Sequence, residues 1–175
     1  MSEPLVPSVV VNVCHNCIPQ VGGLPRQWRQ SEGLVVVREL PCTGKLDLQY
    51  LLHAVESVGG GVCVVACPLG QCRLAQGNQR ARIRIETLRR LLAEIGLESE
   101  RAELLHCAQE EPTTNVERAI REAVERILKL GPNPLCSTQG SAPSGGLPRD
   151  GGLGPAPREF SARAASVSTT DGILE

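Results

Sequence analysis

The chain has 175 residues and a mass of 18.7 kDa, with 18 Lys and Arg against 19 Asp and Glu for a formal net charge of −1. That length suits one domain with an appendage, and the near-neutral balance leaves no nucleic-acid footprint. Trp28, Tyr50 and Phe160 are the only aromatic residues, which argues against base-stacking platforms and leaves the core to Val, Leu, Ile and Ala.

In chain order, the apolar run over residues 9–13 predicts a first strand, followed at once by Cys14-His15-Asn16-Cys17. Pro19, Gly22, Gly23 and Pro25 interrupt any helical pattern over residues 18–30, and this stretch receives no element. A second strand is predicted over residues 34–37, leading into Pro41-Cys42-Thr43-Gly44. Leu48, Leu51, Leu52, Val55 and Val58 recur at helical spacing, and Gly59-Gly60-Gly61 reads as a turn before a third strand over residues 62–66. That strand runs into Cys67-Pro68-Leu69-Gly70-Gln71-Cys72. Ala81, Ile85, Leu88, Leu92 and Ile95 then mark a helix with Gly96 in the C-cap position. After a fourth strand over residues 103–106, Thr114 and Glu117 read as a capping box. The helix they open carries Val116, Ala119, Ile120, Ala123, Val124, Ile127 and Leu128 in one stripe and stops at Gly131-Pro132.

Strands alternating with helices predict an α/β fold, flavodoxin- or Rossmann-like, with a mainly parallel sheet of about four strands, flanking helices and right-handed crossovers. Residues 133–175 contain 7 Gly, 5 Pro and 6 Ser in 43 positions, so the expectation is a domain over 1–132 and a flexible, disordered tail over 133–175. No run is long and apolar enough for a membrane span, and the first thirteen residues lack a basic n-region and cleavage site, which predicts a cytoplasmic chain.

Eight cysteines in such a compartment point to metal or redox chemistry, because disulfides seldom persist there. Parallel strands end on one edge, so Cys14, Cys17, Cys42, Cys67 and Cys72, each just past a strand, are expected to converge in the crevice outside it. Four thiolates suit zinc and an iron–sulfur cluster equally. Gly44 and Gly70 fit either, since a backbone without Cβ can approach the site and turn its N–H groups toward sulfur. Taken alone, Cys14 and Cys17 also read as a redox dithiol. Cys63 reads as a small core hydrophobe, Cys107 as a reserve ligand and Cys136 as part of the tail, while His15 reads as a ligand or a hydrogen-bond donor. His53 and His106 read as surface or helix-end residues. Arg73, Arg80, Arg82, Arg84, Arg89 and Arg90 read equally as a solvated face, with Glu86 and Arg90 paired, or as a positive patch that docks an acidic partner. Catalytic patterns fail. Gly44-Lys45 lacks the hydroxyl and first glycine of a phosphate loop, and no Ser-His-Asp or paired-carboxylate pattern stands out.

Cys67-Pro68-Leu69-Gly70-Gln71-Cys72, with Gly77-Asn78, Ala81 and Arg84, together with Cys14-x2-Cys17 and Cys42-Thr43-Gly44-Lys45-Leu46-Asp47, resembles the delta subunit of methyl-viologen-reducing hydrogenase over most of residues 8–130. The resemblance implies a small protein that holds a [2Fe–2S] cluster and performs no bond chemistry itself. Its implied partners are a hydrogenase or formate dehydrogenase subunit on one side and, on the other, a heterodisulfide-reductase-like flavoprotein subunit, with electrons relayed between them. The chain departs from that pattern at His15-Asn16, where an aromatic residue is common, and at Arg73-Leu74, where His-Tyr is common. Neither change removes a sulfur.

Overall fold

The computed structural model describes residues 6–107 and 113–136. The chain divides into two compact units, Met1–Ser141 and Ala142–Glu175, and every described residue belongs to the first. The expected flexible tail, from residue 137 on, lies outside the described residues.

β1 (Ser8–Cys14), β3 (Gly33–Leu40), β4 (Gly59–Ala66) and β5 (Ala102–His106) pair in parallel in the order β3-β1-β4-β5. A fifth strand, β2 (Gln27–Gln30), adds antiparallel to the β3 edge. The sheet is therefore mixed and five-stranded where about four strands were expected. The extra strand falls in the stretch that glycines and prolines obscured, and its sequence Gln27-Trp28-Arg29-Gln30 is too polar to read as sheet. An edge strand needs only one ladder and one half-covered face, and β2 alternates between exposed and half-buried positions.

The period of two in β1 splits its side chains between two cores. Val9, Val11 and Val13 join Cys63 and Val65 under α1 (Ile18–Val21) and α4 (Thr113–Lys129), where Val116, Ile120, Ala123, Val124 and Ile127 form the helical stripe. Val10, Val62 and Val64 face α2 (Leu48–Val58) and α3 (Gly77–Glu94) through Leu51, Val55, Ile85, Leu88 and Leu92. Helices on both faces explain why β1 and β4 are almost wholly apolar.

The helix ends follow local chemistry. Asp47 caps α2, its carboxylate accepting from the Tyr50 amide at 2.6 Å. α3 closes on Gly96 at φ +80°, with Leu97 N–H on the Leu92 carbonyl (2.8 Å) and Gly96 N–H on that of Ala93 (3.1 Å). α4 starts at Thr113, so Thr114 falls within its first turn and not at the cap. The expected turn at Gly59-Gly60-Gly61 is instead the start of β4. Only Gly59 (φ +68°) turns, as the left-handed end of α2, and a Cβ on Gly60 would lie 2.1 Å from the Ser8 carbonyl.

Ordered contacts continue past residue 132. Asn133 is fully buried, with its amide on the Gly59 carbonyl (2.5 Å) and its side chain on that of Val55 (3.3 Å).

Candidate metal centre

The parallel register brings strand ends level: Cys14 lies beside Leu40, Val13 beside Val65 and Ala66 beside His106. The sheet order also places the loops after β3 and β4 on opposite sides of β1, the kind of switch point that opens a crevice. Into this crevice come Cys14 from the end of β1, Cys17 from the 3-10 turn His15–Cys17, Cys42 after β3, Cys67 after β4 and Cys72 from the loop that follows.

Cys14 Sγ lies 3.5 Å from Cys67 Sγ and Cys17 Sγ lies 3.9 Å from it. All three sulfurs fall within 4.8 Å of one another, and each of these residues is at most 2% exposed. Cys42 and Cys72 form the neighbouring pair. Each thiol of the pair feels the other, Cys42 also feels Cys14, and Cys72 also acts on Cys67, so the pair and the buried triad interact electrostatically. Cys107, just past β5, lies close enough to Cys17 to act on its ionisation. Cys63 lies within β4, and Cys136, beside the Ser57 carbonyl, stays outside the crevice.

Ionisation differs across the group. Burial, then the neighbouring thiols, push Cys17 well above the ordinary thiol range and raise Cys67 to about 11. Burial also raises Cys42, against the pull of the Gly44 amide 3.3 Å from its sulfur. Cys72 goes the other way. Its partial burial pushes up, but the backbone amides of Asn78, Leu74 and Gly77, together with the Cys42 thiol, outweigh that and hold it below the ordinary range. Two of those amides belong to the first turn of the 18-residue α3, where unpaired N–H groups and the helix dipole favour an anion.

Glycines make room for this. A Cβ on Gly77 would lie 2.3 Å from Cys42 Sγ and 3.1 Å from Cys72 Sγ, and one on Gly44 would lie 2.6 Å from the Gly77 Cα. Backbone thus meets backbone between the two loops, with sulfur on either side. Gly70 shapes the loop between Cys67 and Cys72. At φ +79° it occupies the third position of the turn in which Gln71 N–H bonds the Pro68 carbonyl (3.1 Å), and a side chain there would meet nothing within 4 Å.

Three residues brace these loops: Asn78 and Arg84, which the sequence offered as part of the resemblance, and His106, which read as a surface or helix-end residue. Buried Asn78 donates through Nδ2 to the carbonyls of Cys67 (3.2 Å) and Pro68. His106 places Nδ1 2.9 Å from the same Cys67 carbonyl, which can only accept, so that nitrogen carries the proton. Arg84 donates to the carbonyls of Gly44 (2.7 Å) and Leu46, tying the Cys42 loop to α3. The Gly77-Asn78 pair of the resemblance accounts for two of these contacts. His15 is hydrogen-bonded to Glu39 at the exposed rim, and His53 lies on the surface near Glu56.

An all-sulfur donor set, three thiols within ligand reach of one point, a glycine cradle and amides aimed at thiolate together fit a soft metal or an iron–sulfur group. Fold and site thus define a class: an α/β protein with a metal-competent thiol centre at the carboxyl edge of its sheet. Within that class, the chain belongs to the family of the methyl-viologen-reducing hydrogenase delta subunit, whose profile matches residues 9–131. A vhu iron–sulfur subunit of F420-non-reducing hydrogenase from Methanocaldococcus jannaschii is 36% identical over 106 residues, covering 61% of this chain and 78% of that protein. The iron–sulfur subunit of F420-non-reducing hydrogenase from Archaeoglobus profundus is 33% identical over 133 residues, 75% of this chain and 96% of the relative. A subunit of the ferredoxin/F420H2-dependent CoB-CoM heterodisulfide reductase from Methanosarcina acetivorans is 27% identical over 131 residues, which are 74% of this chain but 16% of that much longer protein. Among the described residues, no helix is long and apolar enough to cross a membrane.

Proposed function

We propose that this chain is a cytoplasmic [2Fe–2S] electron-transfer subunit. It would pass single electrons between a hydrogenase or formate dehydrogenase-type module and a heterodisulfide-reductase-like flavoprotein. The observation that carries the proposal is the meeting of Cys14, Cys17, Cys42, Cys67 and Cys72 at one sheet edge, with backbone amides turned toward Cys42 and Cys72. Four of these five thiolates would hold the cluster, leaving one beside it. When bound, such a cluster supplies one-electron redox chemistry with no bond made to substrate. The chain's own part is to hold the sulfurs, to exclude water from Cys14, Cys17 and Cys67, and to stabilise thiolate charge through the amides of Gly44, Leu74, Gly77 and Asn78. Amide donors on sulfur raise a cluster's potential. The kinship with hydrogenase iron–sulfur subunits and with part of a heterodisulfide reductase supports this role and these partners. We read the domain as residues 1–132 extended by the buried Asn133.

The same sulfurs suit a structural zinc, and that second reading separates cleanly. Iron, zinc and acid-labile sulfide are measured per chain on anaerobically purified protein, with the visible spectrum and the EPR of the reduced form. About two irons and two sulfides with a rhombic signal support the proposal. About one zinc without colour overturns it. Cys67→Ser and Cys72→Ser should each remove or shift the sulfur-to-iron bands, and unchanged spectra in both variants would strike these residues from the ligand set.

A further inference from the structure

Between Glu56 and Glu86 the sequence contains no acidic residue and four arginines, Arg73, Arg80, Arg82 and Arg84. The structure sorts the arginines of this region by use. Arg84 holds the carbonyls of Gly44 and Leu46, and Arg89 holds that of Ala102 together with Glu103. Arg82 pairs with Glu86 and Arg90 with Glu94, so the expected Glu86–Arg90 pair is not made. Arg73 and Arg80 are left exposed, with no ion-pair partner among the described residues. Arg73 directly follows Cys72, which alone among the five thiols is only partly buried, and Arg80 lies in the first turn of α3, whose Gly77 and Asn78 amides act on that thiol. On the same loop Leu69 and Leu74 are 53% and 58% exposed, and Lys45 is exposed on the adjoining one.

We infer that the loop over residues 68–76, with the first turn of α3, is the port at which electrons enter or leave, and that it docks a redox partner presenting an apolar patch edged with carboxylates. This rests on the electron-transfer reading above. Tunnelling falls steeply with distance, and a protein seated on Leu69 and Leu74 approaches the centre at Cys72 more closely than one seated over the buried triad. The two leucines supply the dehydrated contact, and the two unpaired arginines supply the steering field and select a partner of opposite charge. One electron crosses per encounter, oxidising the centre and reducing the acceptor, with no bond made or broken and no proton moved.

Small acceptors of opposite charge test the port. Full-length protein with its centre in place is reduced with dithionite and mixed in stopped flow with the cobalt(III)–EDTA anion or with the hexaamminecobalt(III) cation. Each accepts one electron to give cobalt(II), and reoxidation is followed in the visible band. The anion's rate should fall as salt rises and the cation's should not. R73E/R80E should lower the anion's rate by about tenfold or more at low salt and raise the cation's. The same charge change at the far ends of α3 and α4, in R90E/K129E, should leave both rates as in the wild type. If R90E/K129E acts as strongly as R73E/R80E, or if neither changes the rates, the port is elsewhere. If R73E/R80E no longer shows the centre's spectrum, the milder R73Q/R80Q is read for the same direction of change. A wild-type protein without iron–sulfur absorption would refute the electron-transfer reading itself, an outcome visible before any mixing.

Discussion

Gly77 and Cys42 touch through a missing side chain: a Cβ on Gly77 would stand 2.3 Å from the Cys42 sulfur. Alanine favours a helical position over glycine by up to about 1 kcal/mol, so Gly77→Ala should not weaken the metal-free fold. It should instead displace both Cys42 and Cys72, lowering metal affinity by about 10–100-fold, as loss of a supporting contact around a metal ligand does. Metal content and far-UV circular dichroism, measured on one preparation, check both halves. A variant with full metal content would mean that the loops yield.

Asn78 secures the other side of the centre through the carbonyls of Cys67 and Pro68. Asn78→Ala leaves buried acceptors without their donor and should cost about 1–3 kcal/mol in urea unfolding of the metal-free chain. Asn78→Asp should cost more, because an ionised carboxylate faces the same carbonyls and cannot donate to them. Equal losses in the two variants would show that Asn78 acts by packing alone.

Arg101 concerns stability and not the centre. It is 1% exposed and joins the Gly60 and Gly131 carbonyls, each at 3.0 Å, to Glu98 at 2.8 Å. Arg101→Met should lower stability by about 3 kcal/mol while metal content per folded chain stays the same. Arg101→Lys should restore little, since an ammonium cannot reproduce the planar fork.

The thiol of Cys63, far from the crevice, gives the fold an alkaline limit. Burial first, and then the Glu103 carboxylate against the opposing pull of Arg126, raise it from 9.0 to about 12. Below pH 9 the thiol is protonated whether the chain is folded or not, and its contribution to stability is complete. Between about pH 9 and 12 the unfolded chain releases this proton and the folded chain keeps it, so stability falls as pH rises. Cys63→Ala removes a small buried side chain and should be less stable than the wild type at pH 7, by about 1 kcal/mol. In urea titrations from pH 8 to about pH 10.5 the gap should close near about pH 9.7 and reverse above it. A constant gap would show that the thiol does not titrate in that window.

Three of the four parallel strands were legible because β-branched runs within a covered sheet leave a nearly uninterrupted apolar signature, as in Val9-Val10-Val11 and Val62-Cys63-Val64-Val65. β2 was not legible. Its pairing depends on the exposed edge of β3, and nothing in Gln27-Trp28-Arg29-Gln30 announces that edge. The five converging cysteines were legible for a topological reason, since each lies just past a parallel strand or in the loop after it. Their supports were hidden because side-chain chemistry alone gave the wrong impression. Arg84 resembles a solvated charge yet bonds two carbonyls 38 and 40 residues away, and His106 resembles a surface or helix-end residue yet bonds the Cys67 carbonyl.

The centre also fixes an order of events in the life of the chain. Cys14 and Cys67 are separated by 53 residues, and the amide of Asn78 is needed beside Cys72. At synthesis rates of about 5–20 residues per second, Cys14 exists for about 3–13 seconds before Asn78 is made. No local segment can close the thiol group in that interval, because adjacent strands must pair first. In the proposed iron–sulfur protein, the metal would therefore meet a finished sheet and not a nascent peptide. Its delivery would then depend on a folded surface, and the thiols would wait in reduced form until it came.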